Sequence, residues 1–264
     1  EPALKYAELV HDLKGLGYTF YIIDHRGQGA SQRMLADPQR SHVEQFADYV
    51  TDFSHFVMQI VRPRSFKNSF ILAHSMGGAI ATGFLKHHPL EVTGVILSAP
   101  MFRANTAYWG RNFSIWLAQQ LDSSGLGSMY APRKKPFNPR LKFADNTVTT
   151  SPERFKMLIK LMRLMPELQV GGTTVRWTRE ALTFTQALKQ IGGLFQVPTI
   201  LFQAANDEWV MGDGQVEACT LRSPGRCRII PVAGAKHEIL MEKDSIREPI
   251  LDEIIKFISQ QESK

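Results

Sequence analysis

The amino-acid sequence predicts an α/β fold: a mostly parallel sheet with helices on both faces and a helical cap inserted between two of its strands. Three observations predict it. Short β-rich runs alternate with amphipathic helical stretches towards both ends of the chain. The alternation lapses between about Met101 and Gly193, where helical patterns dominate. One apolar run, Phe70-Ile71-Leu72-Ala73, passes through His74-Ser75 straight into Met76-Gly77-Gly78-Ala79, the pattern of a strand that turns sharply into a helix. At 264 residues and 44% hydrophobic content, the chain suits one such domain with an inserted lobe.

Each element has its own signal. Tyr6, Leu9, Val10 and Leu13 recur at helical spacing, and Gly15 and Gly17 close that helix. Residues 18–24 (YTFYIID) are rich in aromatic and β-branched side chains and read as a strand. Phe46, Tyr49, Val50, Phe53, Phe56, Val57 and Ile60 form one apolar stripe on a second helix. Residues 70–73 are a strand and 77–86 the helix behind it; residues 94–98 (GVILS) are the next strand, closed by Ala99-Pro100. In the middle segment, Ser151-Pro152-Glu153 is a helix start, with a capping serine and then proline at the first helical position. Phe155, Leu158, Ile159 and Met162 follow on one face. Residues 199–203 and 228–232 are two more strands, and a final helix carries Ile246, Ile250, Leu251, Ile254, Ile255 and Ile258. The expected organisation is a first part of the core over residues 1–101, a cap over 102–193 and a second part of the core over 194–264.

Composition narrows the function classes. No run reaches the roughly 18 apolar residues of a membrane span, and no signal peptide is visible in the opening residues Glu1-Pro2-Ala3-Leu4-Lys5. No phosphate-cradling glycine loop follows a strand, and no Cys/His spacing suggests a metal site, so neither a cofactor nor a metal is expected. The two cysteines, Cys219 and Cys227, are expected to be free thiols of a reduced compartment, although the Ser-Pro-Gly between them also suits a hairpin that brings them together. The net charge of +6 is unevenly spread: residues 101–190 hold 14 Lys and Arg against 5 Asp and Glu. This suits either an anionic lipid surface or a solvated basic face. With no nucleic-acid-binding motif in that segment, a nucleic-acid partner is not expected.

The chemistry centres on Ala73-His74-Ser75-Met76-Gly77, a nucleophile-elbow pattern with alanine in its first position. Small neighbours are needed there because the backbone turns tightly and the helix behind it packs close. A serine nucleophile needs a base and a group to orient that base. His237, in Gly234-Ala235-Lys236-His237-Glu238, follows the last strand and precedes the last helix. Asp207 lies just past residues 199–203, with Glu208 and Asp213 as nearby rivals for the acid. All these positions fall at carboxyl ends of predicted parallel strands, where open α/β sheets place their sites. His74 precedes the nucleophile and reads as a packing residue. The backbone N–H of Met76 is one expected oxyanion donor. No strand and no oxyanion loop precede the first helix, so the second donor, and N-terminal strands of the sheet, are expected upstream of residue 1.

Taken together, Lys5-Tyr6-Ala7-Glu8-Leu9, Ile22-Ile23-Asp24-His25-Arg26-Gly27-Gln28-Gly29-Ala30-Ser31, Ala73-His74-Ser75-Met76-Gly77-Gly78-Ala79-Ile80, Ser98-Ala99-Pro100-Met101-Phe102, Val170-Gly171-Gly172-Thr173 and His237-Glu238-Ile239-Leu240 resemble the bacterial lysophospholipase L2 family and, more loosely, the monoacylglycerol lipases. The resemblance spans nearly the whole chain. It implies an α/β-hydrolase with a cap, acting on monoacyl lipids, with Ser75 as nucleophile, Asp207 as acid and His237 as base. It implies release of a fatty acid from a lysophospholipid through an acyl-enzyme, with transacylation as a side activity. A monoacylglycerol lipase or general carboxylesterase is the alternative, and a non-catalytic hydrolase-fold binder or inactive fragment the alternative of another class. Family members carry about three strands upstream of residue 1, and close relatives carry glutamates in the acid region, which keeps Glu208 in view. The cap aromatics Tyr108, Trp109, Phe113 and Trp116 are candidates to line an acyl path, and Arg133-Lys134-Lys135 to meet phosphate or a lipid surface. The expected location is cytoplasmic, with peripheral contact at the inner membrane.

Overall fold

A computed structural model of the chain describes residues 1–188, 190 and 193–263. The expected end of the cap, at residues 189–192, therefore lies largely outside the described residues, as does the Tyr108 side chain. The chain divides into two compact units. The first comprises Glu1–Arg64, Tyr108–Leu141 and Lys156–Ala181, and the second Ser65–Ala107, Lys142–Phe155 and Leu182–Lys264.

The second unit holds the sheet. Strands β1 (Phe70–His74), β2 (Gly94–Ser98), β3 (Thr199–Ala204) and β4 (Cys227–Val232) pair in the order β1-β2-β3-β4, all parallel. Ala73 is in register with Leu97, and Leu97 with Leu201. Every residue of β2 is buried, as a parallel strand covered on both faces requires. Its cover includes helix α3 (Met76–His87), whose Ile80 and Phe84 are fully buried, and, after the short helix α7 (Gly212–Val216) that follows β3, helix α8 (Asp244–Glu262), which buries Ile250, Leu251, Ile254, Phe257 and Ile258. Gly94 shows how close the fit is: a Cβ there would lie 3.1 Å from both the Phe257 and Phe70 rings.

The first unit is helical among the described residues. Helix α1 (Ala7–Leu13) buries Leu9 and Leu13, continues into a short 3₁₀ turn and stops at Gly17, which takes φ = 78°. Helix α2 (Phe46–His55) points Phe46, Tyr49 and Val50 inward. Helices α4 (Gly110–Leu121), α5 (Pro152–Leu164) and α6 (Val175–Leu188) follow in the middle segment, α5 and α6 each running past a unit boundary. Trp177 of α6 donates its indole N–H to the Tyr49 hydroxyl at 3.1 Å, which gives the buried Tyr49 hydroxyl a polar partner. At the start of α5, Ser151 Oγ accepts the Arg154 N–H at 3.3 Å, so the capping serine acts where its position predicts.

Two expectations are corrected. Residues 18–24 form no strand; a strand exists only through the ladder it joins, and none of the four strands pairs with this segment. Its role is local instead. Asp24 accepts the backbone N–H groups of Ala3 at 2.6 Å and Ala30 at 2.8 Å, and the Arg26 guanidinium forks onto Asp52 at 2.6 and 2.7 Å. The second correction is Cys219–Cys227, which is a disulfide and not a pair of free thiols. The turn through Ser223-Pro224-Gly225 doubles the chain back, and the two Cα atoms sit 5.1 Å apart, inside bridging range.

Candidate active site

The elbow forms because β1 ends against β2. The Ser75 N–H donates to Ser98 O at 3.0 Å, and the Ser75 carbonyl accepts the N–H groups of Gly78 and Met101, each at 2.9 Å. Ser75 itself is held at φ = 50°, ψ = −118°, a conformation that non-glycine residues seldom adopt. The small residues behind it are not equivalent. A Cβ on Gly78 would sit 2.6 Å from Pro100 Cβ, whereas one on Gly77 would meet only Ala73 Cβ, at an ordinary 3.9 Å. Gly78 is therefore the position that lets α3 start against the end of β2. Met76, the expected oxyanion donor, is the first residue of α3, where backbone N–H groups point out of the helix end.

The acid and the base arrive on loops after β3 and β4. Asp207 directly follows Asn206, whose N–H donates to Ala235 O at 2.9 Å and ties the acid loop to the loop carrying His237. Asp207 Oδ1 accepts the N–H groups of Trp209 at 2.8 Å and Val210 at 3.0 Å, which leaves Oδ2 to accept the His237 Nδ1–H at 2.8 Å. Because a carboxylate only accepts, this contact fixes the proton on Nδ1, and Nε2 is then the acceptor for the Ser75 hydroxyl at 2.8 Å. Ser75, His237 and Asp207 thus form one continuous relay within the second unit. Glu208 is exposed, its backbone carbonyl accepts from Asn105 Nδ2 at 3.0 Å, and its carboxylate makes no hydrogen bond to His237 among the described residues. Asp213 pairs with Arg103.

His237 is gripped from several directions. The buried Glu242 carboxylate accepts the Lys236 N–H and the Thr150 N–H, each at 2.7 Å, and also bonds the Thr150 hydroxyl. The Glu238 N–H donates to Val148 O at 2.8 Å. These bonds stitch the histidine loop to the 146–150 segment. Two rings lie against the imidazole. His74 is at a centroid distance of 4.8 Å, buried, with its Nδ1–H donating to Ser98 O at 3.0 Å and its Nε2 3.3 Å from Glu238. Trp209 is at 6.4 Å and nearly parallel.

Sequence reasoning singled out Ser75, Met76, Asp207 and His237, and the geometry gathers the three side chains. It missed Glu242 and Trp209, whose indole N–H donates to Thr147 Oγ1 at 3.1 Å, although an aromatic two residues after the acid was a legible signal for the second. Trp109, Phe113 and Trp116 belong to the first unit. They form a row at the start of α4, with centroids 5.9 and 5.4 Å apart, and each is about half exposed.

A nucleophilic hydroxyl, a base with its proton placed by a buried acid, and a helix N-terminus beside them form an arrangement competent for acyl transfer. Comparisons with known proteins agree. Residues 1–244 match the family described as serine aminopeptidase, S33. The chain is 36% identical to lysophospholipase L2 of Escherichia coli (strain K12), over its whole length and 78% of that protein. It is 30% identical to the probable lysophospholipase L2 of Haemophilus influenzae, over 99% of this chain and 81% of that one. Among solved structures, the monoacylglycerol lipase of Paleococcus ferrophilus superposes with a TM-score of 0.74 at 18% identity, covering 99% of this chain and 91% of that one, a likeness of fold. The chain belongs to the serine aminopeptidase S33 family of α/β-hydrolases, with the lysophospholipase L2 proteins as its relatives.

Proposed function

We propose that this chain is a lysophospholipase, a serine hydrolase that cleaves the acyl ester of monoacyl glycerophospholipids. The observation that carries this reading is the full-length likeness to lysophospholipase L2, and the Ser75–His237–Asp207 relay supplies the chemistry. In the proposed mechanism Ser75 Oγ attacks the ester carbonyl as its proton passes to His237 Nε2. The Met76 N–H stabilises the oxyanion. Collapse breaks the ester C–O bond, and the glycerophospho-alcohol leaves with the proton from His237. Water, deprotonated by His237, then attacks the acyl-enzyme, releasing the fatty acid and restoring Ser75. An alcohol in place of that water gives transacylation.

Residues 102–193 are read as the cap, with Trp109, Phe113 and Trp116 taking the acyl chain. Their half-exposed rings, packed edge-on and tilted against one another, support that role, as does a large apolar area held at low entropic cost. Under this reading Trp116→Ala loses preference for long over short acyl chains; an unchanged preference removes these rings from the acyl path. The basic excess of residues 101–190 supports peripheral contact with an anionic membrane surface. Among the described residues no helix is long and apolar enough to cross a membrane.

The proposed location is cytoplasmic, at the inner membrane, and the Cys219–Cys227 disulfide makes this testable, because reducing compartments keep thiols free. In fractionated cells the protein is expected with the inner membrane and released by salt, and in the reducing cytoplasm the Cys219–Cys227 bridge is expected to be open, so that both cysteines alkylate without prior reduction. Cysteines that label only after reduction, or a protein recovered with the periplasmic fraction, would move it to an oxidising compartment.

The substrate reading is tested by fatty-acid release from lysophosphatidylethanolamine and from monoacylglycerol of matched chain length. Faster, Ser75-dependent release from the lysophospholipid is expected. Preference for monoacylglycerol would favour the lipase alternative, and no release from either would favour the non-catalytic one.

A further inference from the structure

His74 and Glu238 are a buried titratable pair to which the mechanism gives no task. His74 ends β1 directly before the nucleophile, and Glu238 directly follows the base. The two side chains meet, with His74 Nε2 3.3 Å from a Glu238 carboxylate oxygen and only 4% and 6% of the side chains exposed. The other ring nitrogen fixes how the pair is protonated. Ser98 O can only accept, so its 3.0 Å contact with His74 Nδ1 places a proton on Nδ1. An unprotonated Nε2 facing an ionised carboxylate would set two acceptors against each other away from water. The contact is therefore favourable only with a second proton held between Nε2 and Glu238.

Stability gives such a pair little reason to exist. Burying two ionisable groups costs desolvation, and an apolar pair of similar volume is often as stable or more so. An imidazole that merely filled space would need no acid opposite it. The location of the pair supplies a task. Ser98 O accepts both the His74 ring N–H and the Ser75 backbone N–H, each at 3.0 Å, so one carbonyl at the end of β2 anchors the ring and the elbow together. From that anchor the imidazole reaches Glu238, with its centroid 4.8 Å from that of His237. The Glu238 backbone N–H in turn donates to Val148 O at 2.8 Å. A path of polar contacts thus runs from β2, through the residue before the nucleophile, to the residue after the base. Ser75 and His237 lie 162 residues apart in the chain, and their 2.8 Å contact lasts only while both segments are held.

We propose that His74 and Glu238 are positioning residues, whose ion pair clamps the elbow to the histidine loop and so sets the separation of Ser75 Oγ from His237 Nε2. The assignment rests on the Ser75–His237 relay of the proposed mechanism and is independent of which acyl ester is cleaved. The residue expected only to pack at position 74 thereby gains a part in orienting the base.

The test is a double-mutant cycle on the whole chain. Glu238→Ala releases the clamp from one side. His74→Asn releases it from the other, keeping a donor for Ser98 O while losing the reach to Glu238. Turnover of a short-chain p-nitrophenyl ester gives kcat and KM, and labelling of Ser75 by a fluorophosphonate, taken to completion, counts the intact sites. Each single variant is expected to lose about 10- to 100-fold in kcat per labelled site, as small misplacements of reacting groups do, with KM within about twofold of wild type. The double variant should lose no more than the worse single one, because two residues acting through one contact do not add. Glu238→Gln, whose amide can still donate to Nε2, should recover most of what Glu238→Ala loses. Losses that multiply in the double variant overturn the clamp, as does a Glu238→Gln no faster than Glu238→Ala. So does a His74→Asn whose kcat per labelled site stays within about twofold of wild type while its stability falls, the signature of packing alone. His74→Asn and Glu238→Gln keep polar groups at both positions and decide the matter by themselves if Glu238→Ala does not fold. A wild type that neither turns over the ester nor labels at Ser75 removes the relay and the clamp together; a wrong lipid assignment shows separately, as fatty-acid release from monoacylglycerol alone.

Discussion

Two oxygens of one carboxylate decide the acid. Asp207 Oδ1 is occupied by two backbone N–H groups of its own turn, and this leaves Oδ2 aimed at His237 Nδ1. A carboxylate one methylene longer at the same place would miss that geometry, and the neighbouring Glu208 is exposed. Asp207→Asn is accordingly expected to lower kcat about 10⁴-fold, because the amide favours the wrong imidazole tautomer. Glu208→Gln should cost far less in kcat on the same substrate. Steady-state fatty-acid release measures both, and a larger loss in Glu208→Gln would reverse the assignment. Ser75 and His237 were legible in the sequence because each sits in a short pattern whose backbone geometry is dictated locally: tiny residues after the serine, glycine before the histidine. The choice between Asp207 and Glu208 was not, since it depends on which side chain an Asx-type turn rotates towards the neighbouring loop. Glu242 was illegible for a similar reason. It acts on His237 through the amides of Lys236 and Thr150, one close in sequence and one 92 residues away.

The elbow makes unequal demands on its two glycines. Gly78 has Pro100 where a side chain would go, while Gly77 has ordinary room. Gly78→Ala should therefore push α3 off the end of β2, with a loss of stability on the order of 1–3 kcal/mol and a fall in turnover, since Ser75 rides on that junction. Gly77→Ala should change unfolding free energy by less than about 1 kcal/mol, with helix propensity favouring the alanine. Denaturant unfolding of the two variants checks this, and equal losses would contradict it. The four strands β1 to β4 and helices α2, α3, α5 and α8 could be read from periodicity and capping, because each carries a signal confined to its own segment. Residues 18–24 could not: a β-rich composition says that a segment would fit a sheet, while the sheet decides whether it is paired. The disulfide was equally a matter of approach, settled by a turn that brings Cys219 and Cys227 within reach.

Taken as a single enzyme, the chain combines a generic hydrolytic relay with features that choose its substrate. The relay alone serves esterases, lipases and lysophospholipases, which is why the sequence pointed to the reaction more firmly than to the lipid. The basic excess of residues 101–190 and the aromatic row on α4 are the features proposed to separate those activities. The most direct measurement is fatty-acid release from lysophosphatidylethanolamine and monoacylglycerol of matched chain length, by the wild type and by Ser75→Ala. The account predicts release that favours the lysophospholipid and falls at least ~10³-fold in Ser75→Ala. Release that persists in Ser75→Ala, or that favours monoacylglycerol, would contradict it.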